Sequence, residues 1–341
     1  MHFVYYGHEG LTERQRTIMT NRWDYFYYVP LNQPKRLRGI DGYDIDDWCG
    51  IELEQAVRQL CTRWHFGLAI TNYVWISRAL TAVPSTTYRL IDTHDVFGER
   101  QRLLQAQGLA PTWFYCSAEE ERRGLDRADA VIAIQDEEAE VLRTRTSRPV
   151  ITIGHLVPAN FLASRRGSGK IKVGYLASDN PSNRLSLAAL IASLKRRPDV
   201  LGRVELLVGG RVSARVSHGQ AGIQALGVVD EVQDFYSAVD LVLNPNVSGS
   251  GLKIKSVECL SFGRPLISTA DGMGGIATDV PEHRCADTDE MVQALAQLTS
   301  FGDLAELANA SRAVFNRYSE AQSRTFATIL TRAAQRAIEA A

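Results

Sequence analysis

The stretch Asn244-Pro245-Asn246-Val247-Ser248-Gly249-Ser250-Gly251-Leu252-Lys253-Ile254-Lys255-Ser256-Val257-Glu258 concentrates groups that could hold a phosphorylated ligand. An apolar run ends at Pro245, a small glycine-rich loop follows, and a helix is expected to begin near Leu252. Free N–H groups at a helix N-terminus form an anion site. Gly249 and Gly251, flanking Ser250, remove side chains that would keep a phosphate from the backbone. Lys253 and Lys255 add positive charge. Two residues apart on a helix do not share a face, so one lysine at most points at the phosphates unless Lys253 is still in the loop. Glu258 lies two turns in, where a carboxylate could accept hydrogen bonds from a ribose diol. Phosphate followed by ribose is the order in which a nucleoside diphosphate would be met. A plain strand–loop–helix unit, with its glycines serving the turn and its charges solvated, is the alternative.

A second constellation is Ile91-Asp92-Thr93-His94-Asp95. His94 or Asp95 could orient or deprotonate a hydroxyl. Otherwise His94 closes a strand and Asp95 caps the next helix. Tyr73 and Trp75 could line the same side or belong to the core. Glu119-Glu120-Glu121 followed by Arg122-Arg123 reads as a solvated helix face.

Positioning these groups requires two strings of alternating strands and helices. In the first half the strands are read at His2–Tyr6, Tyr25–Pro30, Leu68–Asn72, Tyr88–Ile91, Ala130–Ile134 and Val150–Ile153, with helices at Thr12–Trp23, Ile51–Trp64 and Asp136–Thr144. Short runs apolar on both faces suit a buried parallel sheet. Leu31–Asp47 reads as a loop, and Ser164-Arg165-Arg166-Gly167-Ser168-Gly169-Lys170 as a linker. A fresh series then begins, with strands at Lys172–Leu176, Val204–Val208, Leu241–Asn244 and Pro265–Ser268. Its helices are read at Ser182–Arg196, Glu231–Ala238, Ile254–Phe262, Thr288–Leu298, Asp303–Tyr318 and Glu320–Ile338. This alternation predicts an α/β protein with parallel sheets covered by helices. Its 341 residues suffice for two domains.

The formal net charge of −1 gives no global field toward nucleic acid. Five cysteines without a C-x-x-C pair argue against a disulfide framework and read as reduced, cytosolic residues. No apolar run approaches the length of a membrane span.

The 249–265 segment resembles the donor-binding signature of GT-B glycosyltransferases of the retaining family-4 type, G-x-G-L-K-x-K-x-x-E-x-L-x-x-G-x-P. Gly227–Val232 with Phe235-Tyr236 and Ala238-Val239-Asp240, Val173–Ser178 with Asn183, and Ser268–Gly275 resemble the flanking segments of that family. Arg127–Glu138 and Asp92–Asp95 are similar to its "ADAVIAIS" and "DxHD" segments. The resemblance implies a GT-B fold: two Rossmann-like doubly wound domains facing a cleft, with a C-terminal helix crossing back. The acceptor-side domain would span 1–157, the donor domain 158–318 and the returning helix 319–341.

It further implies transfer of a sugar, with retention, from a UDP-, GDP- or other nucleotide-diphosphate sugar to a sugar or glycolipid hydroxyl, in polysaccharide or glycoconjugate biosynthesis. Implied donor-binding residues are Gly174, Ser178, Arg184, Gly249, Ser250, Gly251, Leu252, Lys253, Ile254 and Glu258; His94, Asp95 and Lys255 are the catalytic candidates. No cofactor or metal is expected. A cytoplasmic protein is expected, with Lys35-Arg36-Leu37-Arg38 available for peripheral contact with the inner membrane face. Other readings are a non-catalytic nucleotide-sugar-binding subunit, a sugar-nucleotide epimerase or a phosphorylase. Three departures stand out: Ser250 replaces the first Glu of the family's Glu-x7-Glu pair, Arg184 is the nearest candidate for its basic pair, and the first βα unit looks missing or reduced.

Overall fold

The computed structural model describes residues 1–341 except 32–41, 107, 109, 112, 164–168, 218, 220, 248–250, 299 and 340–341. The chain divides into two compact units, Met1–Ile153 with Thr325–Ala341, and Gly154–Arg324.

The first unit contains β1 (His2–Gly7), α1 (Glu13–Arg22), β2 (Tyr25–Pro30), α2 (Ile51–Arg63), β3 (Leu68–Asn72), β4 (Tyr88–Asp92), α3 (Arg100–Ala106), α4 (Ala118–Leu125), β5 (Ala130–Ala133), α5 (Asp136–Arg145) and β6 (Val150–Thr152). Thr12 caps α1: its hydroxyl accepts from the Gln15 amide while the Gln15 side chain reaches back. β1 and β2 pair in parallel, and β3-β4-β5-β6 form a parallel sheet in that order. A 3-10 segment, Val74–Ala82, follows β3 and buries Val74, Trp75 and Leu80.

The second unit contains β7 (Ile171–Leu176), α6 (Pro181–Arg196), α7 (Pro198–Leu201), β8 (Val204–Gly209), β9 (Ile223–Gly227), α8 (Val232–Ala238), β10 (Leu241–Asn244), α9 (Ile254–Ser261), β11 (Leu266–Ser268) and α10 (Thr288–Gln297). Its strands are all parallel and lie in the order β11-β10-β7-β8-β9. Val173, Tyr175, Leu206, Val208, Leu241, Leu243 and Ile267 lie in a core closed by Leu187, Leu190, Leu194, Met291 and Leu295. α11 (Phe301–Glu339) begins in this unit and ends in the first, where Ile329 and Ala333 pack on Tyr88, Leu90, Ala130 and Ile132.

Three sequence readings need correction. β9 was not expected: only its Ile223 is buried, so no apolar run marks it. The helices read at Asp303–Tyr318 and Glu320–Ile338 are one, because neither glycine nor proline interrupts an alanine-rich segment from Asp303 onward. The solvated face read at Glu119–Arg123 holds for Glu119, Arg122 and Arg123 but not for Glu121. Glu121 is buried in α4, and its Oε1 accepts from the Phe97 amide at 2.7 Å.

Candidate functional site

In the second unit the order of strands reverses between β7 and β10. In open parallel sheets the crevice beyond such a reversal is where ligands bind. Two loops meet there. Asn180 caps α6 by accepting from the Asn183 amide at 2.8 Å. The Asn183 side chain donates to Ser178 O at 3.0 Å and Ser178 Oγ at 3.2 Å, which folds the loop after β7 on itself. Its Oδ1 accepts from Lys255 Nζ, on α9, at 2.7 Å. That ammonium also lies 5.3 Å from the centre of the Tyr175 ring. Burial, and secondly the charge of Lys253, lower the Lys255 pKa to about 8. A largely desolvated ammonium with a second cation nearby is a group that gains from an incoming anion.

Three residues further on, Glu258 accepts a hydrogen bond from the buried Tyr236 hydroxyl, and burial pushes its carboxyl pKa up. Ser256 Oγ donates to Gly272 O at 2.6 Å and accepts from Asn244 Nδ2 at 2.8 Å. Thr269 Oγ1 donates to Asn246 O at 2.6 Å and accepts from the Gly272 amide at 3.1 Å. The loop after β11 is thereby fastened to β10 and to the first turn of α9.

In the first unit the ends of β3 and β4 lie side by side, Asn72 opposite Asp92. His94 Nε2 donates to Asn72 Oδ1 at 2.9 Å and lies 3.6 Å from Asp92 Oδ2. With its proton on Nε2, a neutral His94 has only Nδ1 available to take another. The Tyr73 ring centre lies 4.7 Å from that of His94. Asp95 Oδ1 accepts from the Val96 amide at 2.9 Å, and its other oxygen pairs with Arg100. Burial raises the pKa of both Asp92 and Asp95, opposed by His94 for the first and Arg100 for the second. Among the described residues the only non-glycine positive φ angles are those of Tyr73 (74°) and His94 (58°), just beyond β3 and β4, and of Glu99 (63°), immediately before α3. Such strain concentrates at functional sites.

Residues 171–300 match the family described as "Glycosyl transferases group 1". No curated protein sequence matches the chain. Among solved structures, S. aureus TarM in complex with UDP is 13% identical with a TM-score of 0.59; the match covers 81% of this chain but only 58% of TarM. Anabaena HepE in complex with UDP and glucose is 14% identical at a TM-score of 0.61, covering 93% of this chain and 88% of that one. Sucrose-phosphate synthase from Thermosynechococcus elongatus is 16% identical at 0.63, covering 90% and 89%. These likenesses give the fold, which is GT-B.

The geometry reassigns several of the residues expected to bind a donor. Gly174 lies inside β7, where a Cβ would stand 2.8 Å from both Phe235 and Val239. Its missing side chain makes room for α8 and leaves no space for a ligand at that face. The amides expected to face a phosphate are partly used within the domain. α9 starts at Ile254, as read from the sequence; the Lys253 amide donates to Gly274 O at 3.5 Å and that of Ile254 to Leu252 O at 3.1 Å. Leu252 is buried, and Gly251 takes a φ of 85°. Ile254 is exposed at the start of α9. Ser178 acts through the loop it closes with Asn183. Arg184 forks onto Asp179. Gly249 and Ser250 lie outside the described residues, as does Lys35-Arg36-Leu37-Arg38. Sequence reading missed Tyr236 as the partner of Glu258 and gave Asn183 no contact to Lys255, since both pairings join segments distant in the chain.

Among the described residues no three His, Cys, Asp or Glu side chains are grouped to hold a metal ion, and no helix is long and apolar enough to cross a membrane. All five cysteines are free thiols.

Proposed function

We propose that the chain transfers a sugar from a nucleotide-diphosphate sugar to a hydroxyl of a sugar or glycolipid acceptor, with retention, in building a polysaccharide or glycoconjugate. The observation that carries this reading is the Lys255 ammonium, desolvated at the reversal of strand order and held on Asn183. As the bond between sugar and phosphate breaks, negative charge grows on the leaving diphosphate. A preset cation in a partly dry site stabilises that charge more than the ground state. Glu258, steadied by Tyr236, accepts from a ribose diol in this scheme. On the acceptor side His94, through Nδ1, takes the hydroxyl proton or orients the hydroxyl, while Asp92 and Asn72 fix its ring. No divalent ion enters this scheme, because protein cations carry the charge of the leaving group. HepE and TarM, each solved in complex with UDP, support a nucleotide donor.

The test is a thermal-shift screen against UDP, GDP, ADP and dTDP and their sugars, with and without EDTA. A bound ligand in excess raises stability by RT ln(1 + [L]/Kd). One nucleotide family is expected to raise the melting temperature, equally with EDTA, and Glu258→Ala is expected to weaken the response. A flat response across all four bases sinks the reading.

A further inference from the structure

The loop between β4 and α3, which carries His94 and Asp95, is pinned by a group that this scheme does not use. Glu121, on α4, is 1% exposed, and its Oε1 accepts from the Phe97 amide at 2.7 Å. Its Oε2 faces Gly98, where a Cβ would stand 2.5 Å from that oxygen and 3.3 Å from Ala118 Cα. Only glycine lets the loop settle this closely on α4. The stretch before α4 completes the grip: the Cys116 amide donates to Phe97 O at 3.3 Å, and the Glu99 amide to Cys116 O at 2.8 Å. Arg145 Nε lies 4.0 Å from Glu121 Oε2, and Arg145 Nη2 donates to Glu99 at 3.0 Å. Burial raises the Glu121 pKa, opposed by the amides of Gly98 and Phe97 and by Arg145. A well-packed apolar side chain could tie α4 to the core as firmly. It could not accept the Phe97 amide.

Phe97 passes this anchoring on through space as well as along the chain. Its buried ring meets Tyr73 edge to face with centres 6.1 Å apart, and the Tyr73 ring lies 4.7 Å from that of His94. The Arg100 guanidinium sits 5.5 Å from the centre of the Phe97 ring and pairs with Asp95. His94 and Glu99, the two left-handed residues of this loop, bracket Phe97. Such conformations persist only where the surroundings over-determine them. Released from Glu121, the span is free to relax and to carry His94 away from Asn72 and Asp92.

We propose that Glu121 is a positioning residue for the acceptor side. By holding Phe97 it fixes Tyr73 against His94 and Arg100 against Asp95, and so keeps the His94 ring on Asn72 with its proton on Nε2. The inference rests on the acceptor-side reading of His94 above and extends it to a side chain that touches no substrate.

Ring-nitrogen NMR of the chain carrying isotope-labelled histidine tests this without a substrate, the His94 signal being assigned by its loss in His94→Ala. At a pH where the ring is neutral, the wild type is expected to show His94 protonated on Nε2. Glu121→Gln, which is isosteric but puts a donor where Oε2 faces Gly98, is expected to average the two tautomers. Phe97→Leu keeps the carboxylate and removes the ring that meets Tyr73 and Arg100; it is expected to do the same, and it serves if the Gln variant melts early. The signal of His8, lodged against Trp48 and Trp75 in the same unit, is expected to stay in place, whereas a general loosening of the unit moves both. With a donor in hand, Glu121→Gln is expected to lower the kcat of transfer about 10²-fold, the effect of a misplaced group, and to leave nucleotide affinity unchanged. In a His94→Ala background it is expected to cost nothing further, since residues that act as one unit are not additive. An unchanged His94 signal in either variant, a His8 signal that moves with it, or losses that add in the double variant overturns the positioning role. If the His94 signal responds as stated but no donor is turned over, it is the sugar-transfer reading that fails.

Discussion

Lys255 is placed where its charge destabilises the ligand-free fold. Its pKa of about 8 lies below the ordinary 10.5 because burial disfavours the charged form. The unfolded chain therefore binds more protons between these values, and stability rises with pH through that window. Below pH 8 the penalty is fully present, of the order of 3 kcal/mol at 1.36 kcal/mol per pKa unit. Lys255→Met is expected to raise the melting temperature at pH 7 while abolishing the nucleotide-induced shift. Nucleotide affinity in the wild type is expected to fall as pH rises above 8, where the ammonium is lost. A variant less stable than wild type at pH 7, or an affinity flat to pH 10, would contradict this account.

At the scale of elements, His283 works as a rivet. It is fully buried in a 3-10 turn, with Nδ1 3.0 Å from Thr278 Oγ1 and Nε2 3.2 Å from Ser311 Oγ on α11. Burial lowers its pKa to about 4. Because the folded value lies below the ordinary 6.5, stability is intact above pH 6.5 and is lost as pH falls toward 4, by up to about 3 kcal/mol. Urea titrations at pH 7 and pH 5 are expected to show this loss in the wild type and a smaller one in His283→Asn. Equal losses in the two proteins would remove His283 from the cause.

The elements also show what was legible beforehand. Strands buried on both faces, such as β5 and β10, announce themselves as apolar runs, and the capping pair Thr12 and Gln15 marks α1. β9 exposes most of its residues and left no such trace. At the site, Lys255 and Glu258 were readable because motif spacing is local. Their partners Asn183 and Tyr236 come from other helices, α6 and α8, and Arg215 reaches Asp179 only because Gly210 permits a close crossing of two segments. Glu121 deceived for the opposite reason: its neighbours are charged and exposed, while it turns inward to the amide of Phe97.

For the molecule as a whole, α11 is the element shared by both units. Leu304, Leu307, Val314 and Phe315 are buried in its first part, Ile329 and Ala333 in its last. Ile329→Ala is expected to destabilise the first unit by roughly 2–4 kcal/mol through the cavity left against Leu90 and Ile132. Ser319→Pro, which breaks the helix between these contacts, is expected to split one cooperative thermal transition into two. Differential scanning calorimetry reads both outcomes; a single unshifted transition in each variant would show that α11 does not couple the units.

The same helix sets an order of birth. A ribosome releases β3–β6 early, but the side chains that seal Tyr88, Leu90 and Ile132 are Ile329 and Ala333, translated hundreds of codons later. The amino-terminal unit must wait, half-built and with apolar surface open, while the unit encoded after it already has nearly all its parts. Maturation therefore finishes at the beginning of the chain, and chaperone dependence during synthesis should fall on residues before Ile153.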